Sequence, residues 1–560
     1  MTSLASTSTQ VASTLTIKNV RLPPDAYASL DTAILSRNPQ DELPLVDLEY
    51  VHYAPDAATP HTTTVEVNIS ASARTEHDLV GGVEKPFDRC SPFSSVSRDA
   101  PSTAPKHRLA RFAAPTVTNT TDCARGCIDV RGSLALPGGL CHPHVHLDKC
   151  YLLDQCALQT GTFDEALTST ASAKAQFTKQ DVLARMRRLI TSSVSHGVTC
   201  MRAFVEVDPT VGLMCVDAAV QLKRAYQASC DVQVVAFAQD ALFYPDDKGK
   251  QDKMQRLMRE AAARVEVDVV GSAPYVEALS RDDEQTLSET EKKRKQKVQQ
   301  QQNIQFIFDL ARQHAKHVDF HLDYDLDPPG SEQDGTQSMI PFVVTLSQTP
   351  TQTWTHTNGT PRTITFGHCT KLSTFAPSDL DHLASTFAST TTTTTTTVPP
   401  ISFVSLPPSD LYMQGRSLPY ASRPRATLPL LALHAHAALQ GHTNWAMGVN
   451  NVANLFTPQG DADPLAMLPM MVGVWQSARA VDCAVLLGAV SARARVAAGL
   501  PGAYGEEGMW ADLTVVDGCT SVQDVVCAPS FSRITLKHGR LVSRRKVESA
   551  VYPLLTHTRQ

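Results

Sequence analysis

The sequence predicts an α/β fold, a (β/α)8 barrel accompanied by a β-sandwich built from both ends of the chain, and three observations carry that expectation. Short β-rich runs, Val198 to Val207, Val232 to Phe237, Val267 to Gly271, Val318 to His321 and Ile364 to His368, recur between helically patterned stretches such as Lys179 to Ser195 and Val216 to Gln227. Strands alternating with helices over several hundred residues indicate parallel βα units, and in number they suggest a closed barrel. Leu15 to Arg21 alternates apolar and polar residues as a half-buried strand does, and Ala511 to Asp517 and Arg533 to Val542 read as strands again near the other end. Finally, His144, His146, His321 and His368 fall where barrel strands would end, the face on which such barrels carry out chemistry.

The chain has 560 residues, more than one domain usually holds. The expected division is an N-terminal sandwich part with long loops over 1–138, the barrel over 139–505, and a C-terminal sandwich part over 506–560. Two low-complexity stretches interrupt the barrel pattern: the Lys/Gln-rich region near 285–302 and the Thr-rich region near 388–400. Both are expected as exposed loop insertions, because polar repeats bury too little apolar area to offset ordering. A net charge of -6 spread along the sequence gives no footprint for nucleic acid or an anionic membrane, so no nucleic-acid partner is expected. No apolar stretch is long enough to cross a membrane and Met1 to Thr16 lacks a signal-peptide pattern, which makes a cytoplasmic location the expectation. The 13 cysteines contain no C-x-x-C pair and read as reduced thiols.

Chemistry concentrates in Pro143-His144-Val145-His146-Leu147-Asp148-Lys149. On a strand, residues i and i+2 share a face, so His144 and His146 can grip one divalent ion together. Imidazole suits zinc, iron and nickel, and such a site leaves room for a water that the ion acidifies. His142 faces the other way and reads as packed. His434 and His436 have the same spacing but lie in an Ala/Leu-rich helical stretch, where i and i+2 diverge.

Further motifs follow in order: Val235-Ala236-Phe237-Ala238-Gln239-Asp240, Asp268-Val269-Val270-Gly271-Ser272-Ala273-Pro274, His321-Leu322-Asp323, Gly367-His368-Cys369-Thr370, Gln414-Gly415-Arg416, and Gly448-Val449-Asn450-Asn451 running to Gly460-Asp461. As an ordered set over roughly residues 130 to 545, they resemble the amidohydrolase superfamily, in its cytosine deaminase-like branch that also holds the s-triazine amidohydrolases. The resemblance implies one divalent metal ion, zinc or iron, held by His144, His146, His321 and the last-strand position, Asn450, with His368 orienting water as acid/base. It implies a small-molecule substrate met by Gln239, Gln414, Arg416 and Asn451, and it leaves a homo-oligomer open.

Two positions depart from the family pattern. The last-strand metal aspartate is Asn450, and the proton-shuttling glutamate is Tyr324. Asparagine offers a carbonyl oxygen but neither charge nor a proton acceptor, and tyrosine titrates near 10. Asp323, Asp325 or Asp461 is expected to take over the lost functions, with Asp323 and Asp325 as catalytic candidates beside His368. Trp445 and Phe456 are candidates to shape the pocket. The expected function is hydrolysis of a carbon–nitrogen bond, not a peptide bond, in a small cyclic amide- or amidine-like substrate. A barrel that binds a small molecule or protein without turnover is the alternative, and a scaffold built on the low-complexity stretches is a third reading.

Overall fold

A computed structural model of the chain describes residues 11–30, 45–54, 62–71, 106–115, 126–347, 356, 361–388 and 401–551. The N-terminal segment contributes β1 (Val11–Val20), β2 (Val46–Tyr53), β3 (Thr62–Ala71), β4 (His107–Pro115) and β5 (Gly126–Asp129), ordered β4-β3-β2-β1-β5 in one sheet. After β6 (Leu134–Pro137) come the barrel strands: β7 (Leu140–His146), β8 (Val198–Glu206), β9 (Asp231–Ala238), β10 (Val267–Ser272), β11 (His317–Leu322), β12 (Ile364–His368), β13 (Ile401–Ser405) and β14 (Thr443–Met447). They form one eight-stranded parallel sheet in sequence order. Just beyond β14, Asn450 closes it against β7: His146 N donates to Asn450 O at 2.7 Å and Asn450 N to His144 O at 3.3 Å.

β15 (Leu513–Val516), β16 (Arg533–Lys537) and β17 (Arg540–Arg545) join β6 in a second sheet, so strands from either side of the barrel pair directly. The run Arg533 to Val542 is thus a hairpin turning at His538-Gly539 rather than one strand. The two sheets share an apolar core, in which Leu15, Ile17 and Leu48 meet Trp510, Leu513 and Leu536.

Residues 289–314 form a helix, which corrects the expected loop insertion near 285–302. Ser288 and Glu291 close a capping box at its start, and Ile304, Ile307, Phe308 and Ala311 bury one face against the barrel. Lysine, glutamine and glutamate lose little side-chain freedom in a helix, so the repetitive stretch forms the solvated turns of a packed element. The Thr-rich stretch lies outside the described residues. His434 sits in a short helix and His436 caps it, and they face Arg493 and Asp381 respectively.

Period-2 alternation turns every second residue of β8 inward, which stacks the barrel interior in layers. Arg202 forms the lower polar layer, donating to Asp319 (2.9 Å), Thr365 (2.7 Å), Thr363 (3.2 Å) and Gln233 (3.1 Å). Phe204, Val235, Phe237 and Val269 form an apolar layer. At the upper end, Glu206 pairs with Lys149 and with Lys174 (2.6 Å), and Lys174 reaches Asp208 at 2.7 Å. Burial pushes the Asp319 carboxyl up to about 7 against the pull of Arg202. At Glu206 the two lysines outweigh burial and hold the carboxyl at about 2.

These layers give two expected outcomes. Arg202→Met leaves Asp319 buried without its cation and lowers the unfolding free energy by about 3–5 kcal/mol, read from urea midpoints. Because the Glu206 pKa falls on folding from the ordinary 4.5 to about 2, its stabilisation is complete above pH 4.5 and is lost as pH falls towards 2. Glu206→Gln therefore unfolds more easily at neutral pH and loses less further stability across that acid window, measured by denaturation at a series of pH values.

Candidate active site

His144 and His146 leave the end of β7, His321 the end of β11 and His368 the end of β12, so the parallel barrel brings all four to one mouth. One ligand atom from each of His144, His146 and His321 lies within 4.8 Å of the others. The Nε2 atoms of His144 and His321 face each other at 2.9 Å. Phe204 stacks on the His144 ring with centroids 3.8 Å apart. Gly367 flanks the same ring: a Cβ there would stand 2.8 Å from His144 Cε1, so only glycine admits the imidazole in this position.

Burial, followed by nearby positive groups, holds His144, His146 and His321 well below the ordinary imidazole range. Neutral imidazoles offer lone pairs, as metal binding requires. Several buried polar atoms beside the cluster lack a hydrogen-bond partner: His144 Nδ1, His146 Nδ1 and Asn450 Oδ1. Asn450 Nδ2 donates to Ser409 Oγ at 2.5 Å, which leaves its carbonyl oxygen as the unused group. Three neutral nitrogens converging beside a free carbonyl oxygen fit a divalent cation by donor type, number and charge.

His368 lies beside this cluster, its ring centroid 4.8 Å from that of His321. Its Nδ1 stands 2.7 Å from Asp410 Oδ1, and Thr427 donates to Asp410 Oδ2 at 2.9 Å. The cleft above is walled by Phe163, Tyr275, Tyr324 and Phe456, with Gln239, Lys149 and Asn451 among its polar groups. Lys149 donates to Gln239 Oε1 at 3.3 Å.

The residues singled out from the sequence divide into two groups. His146, His321, His368, Asn450, Gln239, Asn451 and Phe456 line the cleft, and His144 lies directly beneath as part of the imidazole cluster. Asp323, Asp325, Gln414 and Arg416 do not line it. Asp323 turns its carboxylate to Ser338 Oγ (2.5 Å) and Met339 N (3.1 Å), at the start of the helix Ile340–Ser347. Asp325 pairs with Lys371 at 2.6 Å. Gln414 donates to the Tyr324 carbonyl at 3.3 Å, and Arg416 donates to the carbonyls of Tyr412 and Thr160, both at 3.2 Å. Asp461 is bound to His196 at 3.2 Å, and Trp445 is buried against Phe403. Asp323, Asp325 and Asp461, expected to take over carboxylate functions, are therefore each engaged by another partner.

Tyr324 has its ring centroid 4.3 Å from that of His368, and burial pushes its phenol well above the ordinary range. Sequence reasoning missed Lys174, Glu206, Ser409 and Asp410. Ser409 and Asp410 follow Pro407-Pro408, whose fixed φ starts a short helix as soon as β13 ends. That turn aims one side chain at Asn450 and the next at His368, and no spacing rule announces it.

No family model matches the chain. Over 121 residues, 21% of this chain, it is 28% identical to an N-isopropylammelide isopropyl amidohydrolase of Pseudomonas sp. (strain ADP), and the match spans 30% of that protein's length. The fold is similar to that of 5-methylcytosine deaminase from Klebsiella pneumoniae liganded with 5-fluorocytosine: TM-score 0.62, 18% identity, 96% of this chain and 99% of that one. It is also similar to a zinc-bound adenosine deaminase from Xanthomonas campestris, with TM-score 0.51, 15% identity, and coverage of 78% of this chain and 88% of that one. In fold and in this stretch of sequence, the chain resembles the cytosine deaminase-like and s-triazine branch of the amidohydrolase superfamily.

Proposed function

We propose that this chain is a metal-dependent hydrolase that cleaves a carbon–nitrogen bond, other than a peptide bond, in a small flat cyclic amide- or amidine-like substrate. The observation that carries the reading is the convergence of three buried, neutral imidazoles beneath a cleft with aromatic walls. The similar fold of a deaminase liganded with 5-fluorocytosine, and of another with bound zinc, supports it. When bound, a divalent ion supplies a Lewis acid and brings water to a pKa of about 7.

The chain's own groups account for the remaining work. His144, His146 and His321 would hold the ion, and Asn450 would add its carbonyl oxygen, which has no hydrogen-bond partner among the described residues. His368 takes a proton from the attacking water and returns it to the leaving nitrogen. The Gln239 amide can match adjacent N–H and C=O groups on a ring, because it both donates and accepts. Phe163, Tyr275, Tyr324 and Phe456 cover the faces of a planar substrate and exclude water.

The replacement of two family carboxylates by Asn450 and Tyr324 favours one competing reading, a barrel that binds the same kind of ligand without turning it over. Metal-replete expression separates the two. The hydrolase is expected to carry about one zinc or iron per chain and to release product from a pyrimidine, triazine or cyclic amide, with His144→Ala losing both metal and turnover. Ligand-induced stabilisation without turnover would favour the binder, and a metal-free protein after such expression would contradict the hydrolase.

Restoring the carboxylate should tighten the ion. Two unit charges 4 Å apart attract by about 4 kcal/mol at an effective dielectric of 20, a divalent ion doubles this, and carboxylate desolvation cancels most of it. Asn450→Asp is therefore expected to lower the metal Kd on the order of tenfold, measured by competition with a chelating dye.

A further inference from the structure

We infer that Asp410 is a positioning residue that fixes the tautomer and ring orientation of His368, so that the proton-accepting nitrogen of that imidazole is the one facing the cleft. The inference rests on the hydrolase reading for its purpose, but not for its geometry. His368 sits at the end of β12 in the left-handed region, φ 69°. Asp410 comes from a different part of the chain and is fully buried, with Oδ1 2.7 Å from His368 Nδ1.

The second carboxylate oxygen shows which way the hydrogens run. Thr427 Oγ1 lies 2.9 Å from Asp410 Oδ2 and 3.2 Å from Ser405 Oγ. Thr427 donates to Asp410 Oδ2, and the Ser405 hydroxyl has both Thr427 Oγ1 and, at 3.5 Å, the Leu428 carbonyl within reach. Both carboxylate oxygens then act as acceptors, and Nδ1 of His368 carries the hydrogen between the pair. A neutral imidazole protonated at Nδ1 has a bare Nε2, the nitrogen that a proton-transferring histidine must present. Asp410 thus supplies a carboxylate to the reaction machinery from behind His368. Among the cleft-lining residues none is an aspartate or glutamate, and Tyr324 and Asn450 occupy the family's acidic positions.

An asparagine at 410 discriminates sharply. If its oxygen still accepts from Thr427, its amide nitrogen faces His368 and can only donate, so the histidine proton must move to Nε2. In the full chain labelled with ¹⁵N-histidine, with the His368 resonances identified by their loss in His368→Gln, the wild type is expected to show a protonated Nδ1 and a bare Nε2. Asp410→Asn is expected to show the reverse, with the other labelled histidines unchanged. A bare Nδ1 in the wild type, or the same protonated nitrogen in both proteins, overturns the inference. The wild-type spectrum alone can do so even if the variant fails to fold.

With a substrate in hand, Asp410→Asn should reduce kcat by about 10²–10⁴-fold while KM changes little. An unchanged kcat overturns the role. A swapped tautomer in a protein without turnover supports the Asp410 assignment and counts against the hydrolase reading, so the two can fail separately.

Discussion

Three imidazoles withdrawn from water and crowded within 4.8 Å of one another set the terms for the rest of this molecule. Burial keeps them neutral, yet unpaired lone pairs inside a protein are costly. The surrounding fold works to hold them in that condition. Phe204 backs the His144 ring, Gly367 leaves it space, and the backbone of Asn450 closes the barrel directly against His144 and His146. Such convergence fits a ligand that accepts several lone pairs at once, as a divalent cation does.

Charge is segregated around this centre. Asp319 is neutralised below by Arg202, and Glu206 and Asp208 are matched by Lys149 and Lys174 on one side of the mouth. Asp410 lies behind His368. The cleft itself presents imidazole, amide, hydroxyl and aromatic groups with one lysine. A ligand entering the cleft would therefore meet hydrogen-bonding edges and flat apolar faces rather than a carboxylate, the basis of the planar-ring substrate proposed above.

The sequence made the barrel legible because short β-rich runs recur between helically patterned stretches over several hundred residues. It also made the imidazoles legible, since residues i and i+2 on a strand must share a face. Asp323 and Asp325 show where such reading stops. Both lie close to His321 in sequence, but Asp323 has φ 46° and turns to the next helix, and Lys371 captures Asp325. Proximity along the chain carries no information about direction once a strand has ended. Asp410 is the converse case, 42 residues from its partner His368 and brought to it only by the helical turn after Pro407-Pro408. The stretch near 285–302 was obscured for a different reason: its polar composition matches a loop, while its capping box and its apolar residues from Ile304 onward determine a helix.

The most direct measurement is anomalous diffraction from crystals of the metal-loaded protein. The account predicts a single strong peak among His144, His146 and His321, at about 2.0–2.1 Å from one nitrogen of each, as zinc–imidazole bonding requires. A peak bound elsewhere, or three imidazoles turned away from a common point with no ion between them, would contradict it.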